Sequence, residues 1–118
     1  MKIVLDAFGG DYSPVEAIKG AVDALKVFDD FNLVLVGDKK IIKEELNKYQ
    51  FNRERIEILH STEIITNDES PAFAIRTKKD SSIVVGLNYL KNGNANAFIS
   101  AGSTGAVLTG AVFLIKRI

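Results

Sequence analysis

The chain has 118 residues, of which 47% are apolar, and its 15 basic residues balance its 15 acidic ones. This length predicts one domain with enough apolar content for a core. The zero net charge excludes a global attraction to nucleic acid or to an anionic membrane. There is no cysteine, which excludes disulfides, cysteine-ligated zinc and thiol nucleophiles and suits a cytoplasmic protein. The first apolar run, before Asp6, is too short for a signal peptide.

Residues 92–115 carry no charge and could by length span a bilayer, which needs about 20 apolar residues. The first half of the stretch, however, is rich in asparagine, serine and glycine. We therefore expect a buried strand, a loop and a buried helix instead of a membrane span. The last helix, Val112–Ile118, has no C-cap glycine and no following turn. This favours residues 1–118 as the N-terminal part of a larger, truncated domain.

The first predicted strand, Lys2–Ala7, is short, apolar and β-branched. It leads through a turn to a helix over 14–28, with Ser13 as N-cap and Pro14 at the first helical position. Helical spacing places five residues on the inward face of this helix, namely Val15, Ile18, Val22, Leu25 and Phe28.

The remaining elements continue the alternation of strand and helix. They are a strand at Leu33–Gly37, a helix capped by Asp38 that runs to about Tyr49, a strand at Arg55–His60, a short helix from Pro71 to about Thr77, a helix capped by Asp80 or Ser81, a strand at Ala97–Ser100 and a last helix after Gly105. Residues 61–70 are polar and irregular.

This order predicts an α/β fold in which a mostly parallel sheet is covered by helices on both faces, a three-layer αβα, Rossmann-like arrangement. In such folds ligands bind beyond the carboxyl ends of the strands. The loops that follow the first, third and fourth strands are therefore the candidates for chemistry.

The first of these loops is Asp6–Asp11. Gly9 and Gly10 allow unusual backbone dihedrals and close approach of a ligand, and the two aspartates can hold a hydroxyl, a metal or a basic partner. The dinucleotide fingerprint is absent, because its third glycine and its spacing are missing. A plain strand-to-helix turn explains the loop equally well.

The second candidate is the turn 76–82, in which Arg76, Lys78 and Lys79 precede a predicted helix start. Helix N-termini favour anions, and nearby cations would strengthen a phosphate site. Taken alone, a hydrated basic turn is the better reading.

The third candidate is Ser100–Ala106, which follows a buried strand and opens a helix. Small residues expose backbone N–H groups there, and hydroxyls add donors, as in an anion cradle. It is not a P-loop, since no Gly-Lys-Ser/Thr ends it. Close packing of helix on strand is the alternative. His60 is the single histidine, so we expect a strand-end residue and no metal site.

Together, three segments resemble one family, the bacterial acyl-ACP:phosphate acyltransferases of phospholipid synthesis. The segments are Lys2–Asp11, Ser70–Ser82 and Ser100–Ala106, in the family's order. The resemblance runs the whole chain, although the family's proteins are two or three times longer. Phe8 and Ile83 stand where the family usually has Met, and Ser103 where it usually has Asn. A hydroxyl replaces only part of the hydrogen bonding of an amide.

The resemblance implies transfer of a fatty acyl group from the thioester of acyl carrier protein (ACP) to inorganic phosphate. Its implied partners are ACP and phosphate, with no metal, organic cofactor, nucleic acid or transmembrane segment. It also implies a cytoplasmic homodimer, with peripheral membrane association open to the full protein. The implied site residues are, for catalysis, Lys79, Asp6 and Asp11, and, for phosphate or substrate binding, Gly9, Gly10, Arg76, Ser100, Gly102, Ser103, Thr104 and Gly105.

Three alternatives stay open from the residues. One is a phosphotransacetylase-like enzyme that uses acyl-coenzyme A. Another is a nucleotide-binding domain of similar topology, for which Asp38 partly supplies the acidic residue after the second strand. The third is a structural or oligomerisation domain.

Overall fold

The computed structural model describes residues 1–115 and contains one four-stranded sheet. All strand pairs are parallel, in the order β3-β2-β1-β4. The strands are β1 (Lys2–Asp6), β2 (Asn32–Gly37), β3 (Ile56–His60) and β4 (Ala97–Ile99). The predicted α/β class and parallel sheet are confirmed.

Residues 1–115 contain five α-helices, four between the strands and one after β4. These are α1 (Val15–Val27), α2 (Lys39–Leu46), α3 (Pro71–Thr77), α4 (Ser82–Lys91) and α5 (Thr104–Gly110). A single 3₁₀ turn, Arg53–Arg55, precedes β3, and α5 continues into a π-helical turn, Ala111–Ile115.

Helices cover both faces of the sheet. Successive strand residues point to opposite sides, so each strand contributes to the packing on both faces. On one face the buried residues of β2, such as Leu33 and Leu35, pack against α1 and α2. On the other face Val4, Val34 and Val36 pack with α4. A further buried cluster joins α3, α4 and α5. The result is the predicted three-layer arrangement.

The uncharged stretch at 92–115 contains a strand, a loop and a helix, as predicted. The predicted burial is wrong in part, because β4 is an edge strand whose Ile99 is 53% exposed, and only Ala106 and Gly110 of α5 are buried. Within residues 1–115 no helix is long and apolar enough to cross a bilayer. The helix predicted over 112–118 extends outside the described residues.

The structure corrects several predicted boundaries. Ser13 does not cap α1: Pro14 occupies that position, and the Ser13 hydroxyl donates to the Gly10 carbonyl instead, over 3.1 Å. Val15 and Phe28 are not inward, with 45% and 56% exposure. Phe28 is extended and lies where the chain leaves the helix for β2.

One other helix end differs from prediction, whereas one of the two predicted caps of α4 is confirmed. The α2 helix ends at Leu46 and not at Tyr49, because the N–H groups of Lys48 and Tyr49 donate to carbonyls only three residues back. Ser81, one of the two predicted caps of α4, accepts from the Val84 N–H, while Asp80 is engaged elsewhere.

Arg55 fastens the end of α1 to the sheet. Its guanidinium donates to the carbonyls of Leu25, Phe28 and Phe31, over 2.7, 2.8 and 2.7 Å. It also lies 5.9 Å from the centre of the Phe31 ring. One side chain thus satisfies carbonyls at the helix end and in the α1–β2 loop.

We predict that Arg55→Ala lowers the free energy of unfolding of the full-length protein by about 2–3 kcal/mol, because hydrogen bonds from a charged donor are lost and carbonyls are left without partners. Arg53→Ala is the matched control, since Arg53 is exposed and its guanidinium lies over the Phe51 ring, 5.1 Å from the ring centre. Its effect should stay below about 1 kcal/mol. Equal effects of the two changes in denaturant unfolding would contradict the prediction.

Candidate functional site

The carboxyl ends of β1 and β4 lie side by side, because Leu5 pairs with Ile99 in the parallel register. The Asp6 carboxylate, only 2% exposed, connects the two loops that follow. It accepts the Ser100 hydroxyl over 2.8 Å and the Phe8 N–H over 3.0 Å. The Ser100 oxygen in turn accepts the Gly102 N–H over 3.0 Å.

Gly9 lies where the two loops touch. A Cβ added there would stand 2.7 Å from the Gly102 nitrogen and 2.9 Å from the Ser100 hydroxyl oxygen. These contacts are too short for any side chain, so this close approach requires glycine. Gly10 has a φ of +93°, a left-handed conformation that also favours glycine.

The joined loops open onto a cleft of about 480 Å³. Three segments line it: the β1 loop, the residues around Ala101–Ser103, and the segment 64–67 between β3 and α3. The charged residue among them is Asp11, and the other polar groups are hydroxyls, an amide and backbone atoms.

The β4 loop supplies hydrogen-bond donors beside this cleft. Ser103 caps α5 by accepting the Ala106 N–H over 3.2 Å, which leaves its own hydroxyl proton free to donate to a ligand. No atom of residues 1–115 accepts the N–H groups of Thr104 and Gly105. These neutral donors can bind an oxyanion at the helix start.

The structure brings most of the predicted site residues together and separates two of them. Asp6 is the last residue of β1, and Thr104 and Gly105 begin α5. The two joined loops between these elements contain Gly9, Gly10, Asp11, Ser100, Gly102 and Ser103. Asp6 is buried below the cleft with both oxygens engaged, whereas Asp11 is exposed and lines it.

Arg76 and Lys79 lie on a different cavity, of about 720 Å³. Its other lining residues are mostly apolar and come from α3, α4 and the last turn, with the Asn88 amide among them. The Arg76 Nε donates to the Ala72 carbonyl over 3.3 Å. Phe113 is 61% exposed at the rim of this cavity.

The sequence patterns did not predict that the segment 64–67 lines the cleft. The Glu69 carboxylate accepts the N–H and the hydroxyl of Thr66, and it pairs with Lys78 over 2.8 Å. The hydrogen bond from Lys78, followed by that from the Thr66 N–H, lowers the pKa of Glu69. In sequence, residues 61–70 are an irregular polar stretch with no signal for a site. The contacts of Lys78 with Glu69 and Ile64, which hold the segment beside the cleft, exist only in the folded chain.

His60 ends β3, as expected, and its Nδ1 accepts the Lys39 N–H over 3.1 Å. In the part of the chain that the structure describes, no three acidic or histidine side chains are grouped to hold a metal ion.

The whole sequence, residues 1–118, matches the family described as fatty acid synthesis protein. The chain belongs to this family. Among its relatives, the phosphate acyltransferases of Clostridioides difficile, Halothermothrix orenii and Clostridium novyi are 50%, 52% and 48% identical to it over 118 residues. These alignments cover 100% of this chain but 34%, 35% and 36% of the relatives.

The chain therefore spans about a third of the length of these relatives. The match confirms the resemblance that the three loops suggested, because it includes every residue of the β1 loop, the turn 76–82 and the β4 loop.

Gly9→Ala tests the contact between the loops. The added methyl group would meet backbone atoms of the β4 loop, so we expect a loss of about 1–3 kcal/mol in stability and at least about tenfold weaker binding of inorganic phosphate by the full-length protein. Calorimetric titration and denaturant unfolding measure the two effects.

Gly20→Ala is the control, because a Cβ at Gly20 meets nothing within 4 Å. In the α1 interior it should stabilise the protein by about 0.5–1 kcal/mol and leave phosphate binding unchanged. Unaltered phosphate affinity in Gly9→Ala would show that the contact does not shape a phosphate site.

Proposed function

We propose that this chain forms the phosphate-binding part of an acyltransferase that moves a fatty acyl group from the ACP thioester to inorganic phosphate, giving acyl phosphate. The observation that carries the proposal is the bond between Asp6 and Ser100, which joins two loops into one cleft beside free backbone donors. The phosphate acyltransferase names of the relatives support the reaction class.

In the proposed reaction a phosphate oxygen attacks the thioester carbonyl carbon. The new C–O bond forms, the C–S bond breaks, and the ACP thiolate leaves. Phosphate is already ionised at neutral pH, so the reaction needs no strong general base. The protein must hold the phosphate in line with the carbonyl and stabilise the developing oxyanion.

We assign phosphate positioning to the β4 loop, through the Ser103 hydroxyl and the N–H groups of Thr104 and Gly105. Asp6 orients this loop through Ser100. Asp11, at the cleft, orients a substrate hydroxyl or a donor group. The oxyanion donor is a backbone N–H of these loops or a group outside this chain. The cytoplasmic location and the homodimer are further proposals, based on the family resemblance.

Arg76 and Lys79 are proposed to help bind phosphate. They lie on the neighbouring cavity, so their contribution is a positive field that compensates for the lack of a cation among the lining residues of the cleft. Their position also offers a second assignment, in which they contact the acyl donor.

The full-length gene product, incubated with acyl-ACP and inorganic phosphate, should form acyl phosphate. Trapping of the product with hydroxylamine and loss of acyl-ACP measure the reaction. Comparison with short-chain acyl-coenzyme A separates the proposed enzyme from a phosphotransacetylase-like one, and micromolar binding of ATP or NAD would favour a nucleotide-binding domain. Loss of acyl-ACP that does not depend on phosphate would reject the proposal.

Arg76→Gln and Lys79→Gln should each raise the KM for phosphate by about five- to twentyfold, which corresponds to about 1–2 kcal/mol for removal of one nearby charge. Steady-state kinetics with both substrates varied provide the measurement. Lys91→Gln, which removes an exposed charge at the far end of α4, serves as the control. A rise in the KM for acyl-ACP alone would assign the two cations to the acyl donor.

A further inference from the structure

One wall of the cleft is the segment 64–67, which contains no helix or strand. The side chain of Ile65 is buried, with 4% exposure, in the cluster formed by α3, α4 and α5. Its neighbours Thr66 and Asn67 are exposed and line the cleft. The polar face of this wall therefore depends on how the segment is held from behind.

Two side chains outside the cleft hold it. The Glu69 carboxylate accepts the Thr66 N–H over 2.8 Å and the Thr66 hydroxyl over 3.2 Å. The Lys78 ammonium group donates to Glu69 over 2.9 Å and to the Ile64 carbonyl over 2.8 Å. We call Glu69 and Lys78 the clamp, since their contacts fix residues on both sides of the buried Ile65.

The start of the same connection has a separate attachment. The Asp80 carboxylate accepts the N–H and the hydroxyl of Thr62, and the Asp80 N–H donates to Glu63 over 3.2 Å. Loss of the clamp therefore leaves residues 62–63 and the buried Ile65 side chain attached, and it removes the side-chain hydrogen bonds to Thr66 and to the Ile64 carbonyl.

We propose that Glu69 and Lys78 are positioning residues for anion binding, because they hold Thr66 and Asn67 across the cleft from the loop Ala101–Ser103. The identity of the anion as inorganic phosphate rests on the proposed function. A wall that is ordered before the ligand arrives removes part of the entropy cost of binding. In the absence of the clamp, the ligand must order this segment itself.

The clamp is a small contributor to global stability. The side chains of Lys78 and Glu69 are 31% and 28% exposed, and ion pairs of this exposure add little to the free energy of folding. Its removal should therefore change ligand affinity more than the melting temperature, which distinguishes positioning from a merely structural role.

The test uses the full-length protein, with inorganic phosphate as the probe in calorimetric titration. Glu69→Gln and Lys78→Met should each weaken phosphate binding about tenfold, while Lys78→Arg should restore it to within about threefold. Because the two groups act as a unit, the phosphate affinity of the double variant should lie within about twofold of that of either single variant. The Tm of each should stay within about 2 °C of the unmodified protein.

Lys48→Met is the matched control, since Lys48 pairs with Glu45 over 2.6 Å at the end of α2, and neither residue lines the cleft. Phosphate affinity unchanged within twofold in both clamp variants would overturn the proposal. So would an equal loss in Lys48→Met, or a loss of affinity that follows Tm across the variants.

The same titration separates this proposal from the function on which it rests. If the unmodified protein binds phosphate but forms no acyl phosphate, the transferase proposal is rejected. The positioning role of Glu69 and Lys78 still stands in that case, provided that the variants lose affinity as stated. An unmodified protein that binds no phosphate rejects the clamp as well.

Discussion

The buried carboxylate of Asp6 joins the two loops on which the cleft depends. A carboxylate in this position must be hydrogen-bonded, because a buried charge without partners is costly. Ser100 and the Phe8 N–H supply those bonds, and each comes from a loop that borders the cleft. The requirement that Asp6 be satisfied thus also determines how the β1 and β4 loops sit against each other.

Close approach of the two loops limits which residues they can contain. The backbone of Gly9 lies against Gly102 and Ala101, where a methyl group would collide with main-chain atoms. Gly105 lies against Pro71, with only 2.8 Å between an added Cβ and the proline ring, so the start of α5 is equally close to α3. Small residues here allow packing and leave backbone donors accessible, so the two readings of the β4 loop, packing and anion binding, are compatible.

Charge is distributed unevenly around this end of the sheet. The cleft between the loops is lined by Asp11 and neutral donors, while Arg76 and Lys79 border the larger, mostly apolar cavity. Lys78 lies between these two cations in sequence, but its ammonium group is directed to Glu69 and Ile64 behind the cleft wall. The three cations of this turn therefore lie in two different environments: Arg76 and Lys79 border the larger cavity, and Lys78 lies behind the cleft wall.

The sequence alone determined the order of elements, the parallel sheet and the presence of helices on both faces. These follow from local patterns: apolar β-branched runs for β1 and β2, helical spacing in α1 and α4, and glycine or asparagine where the chain turns. The same patterns placed Asp6, Gly9 and Ser103 in loops at the carboxyl ends of strands. Helix ends were less well predicted, because Ser13 and Tyr49 use hydrogen bonds to nearby carbonyls in place of helical ones.

Only the tertiary structure decided which of these residues meet. Asp6 and Ser100 are 94 positions apart and come together because β4 pairs with β1, at the opposite side of β1 from β2. The separation of Arg76 and Lys79 from the cleft depends on how α3 packs against α4 and α5. The segment 64–67 becomes a wall because Ile65 is buried and Glu69 meets Lys78. Local sequence contains the chemistry of each side chain, but long-range packing sets the distances between them.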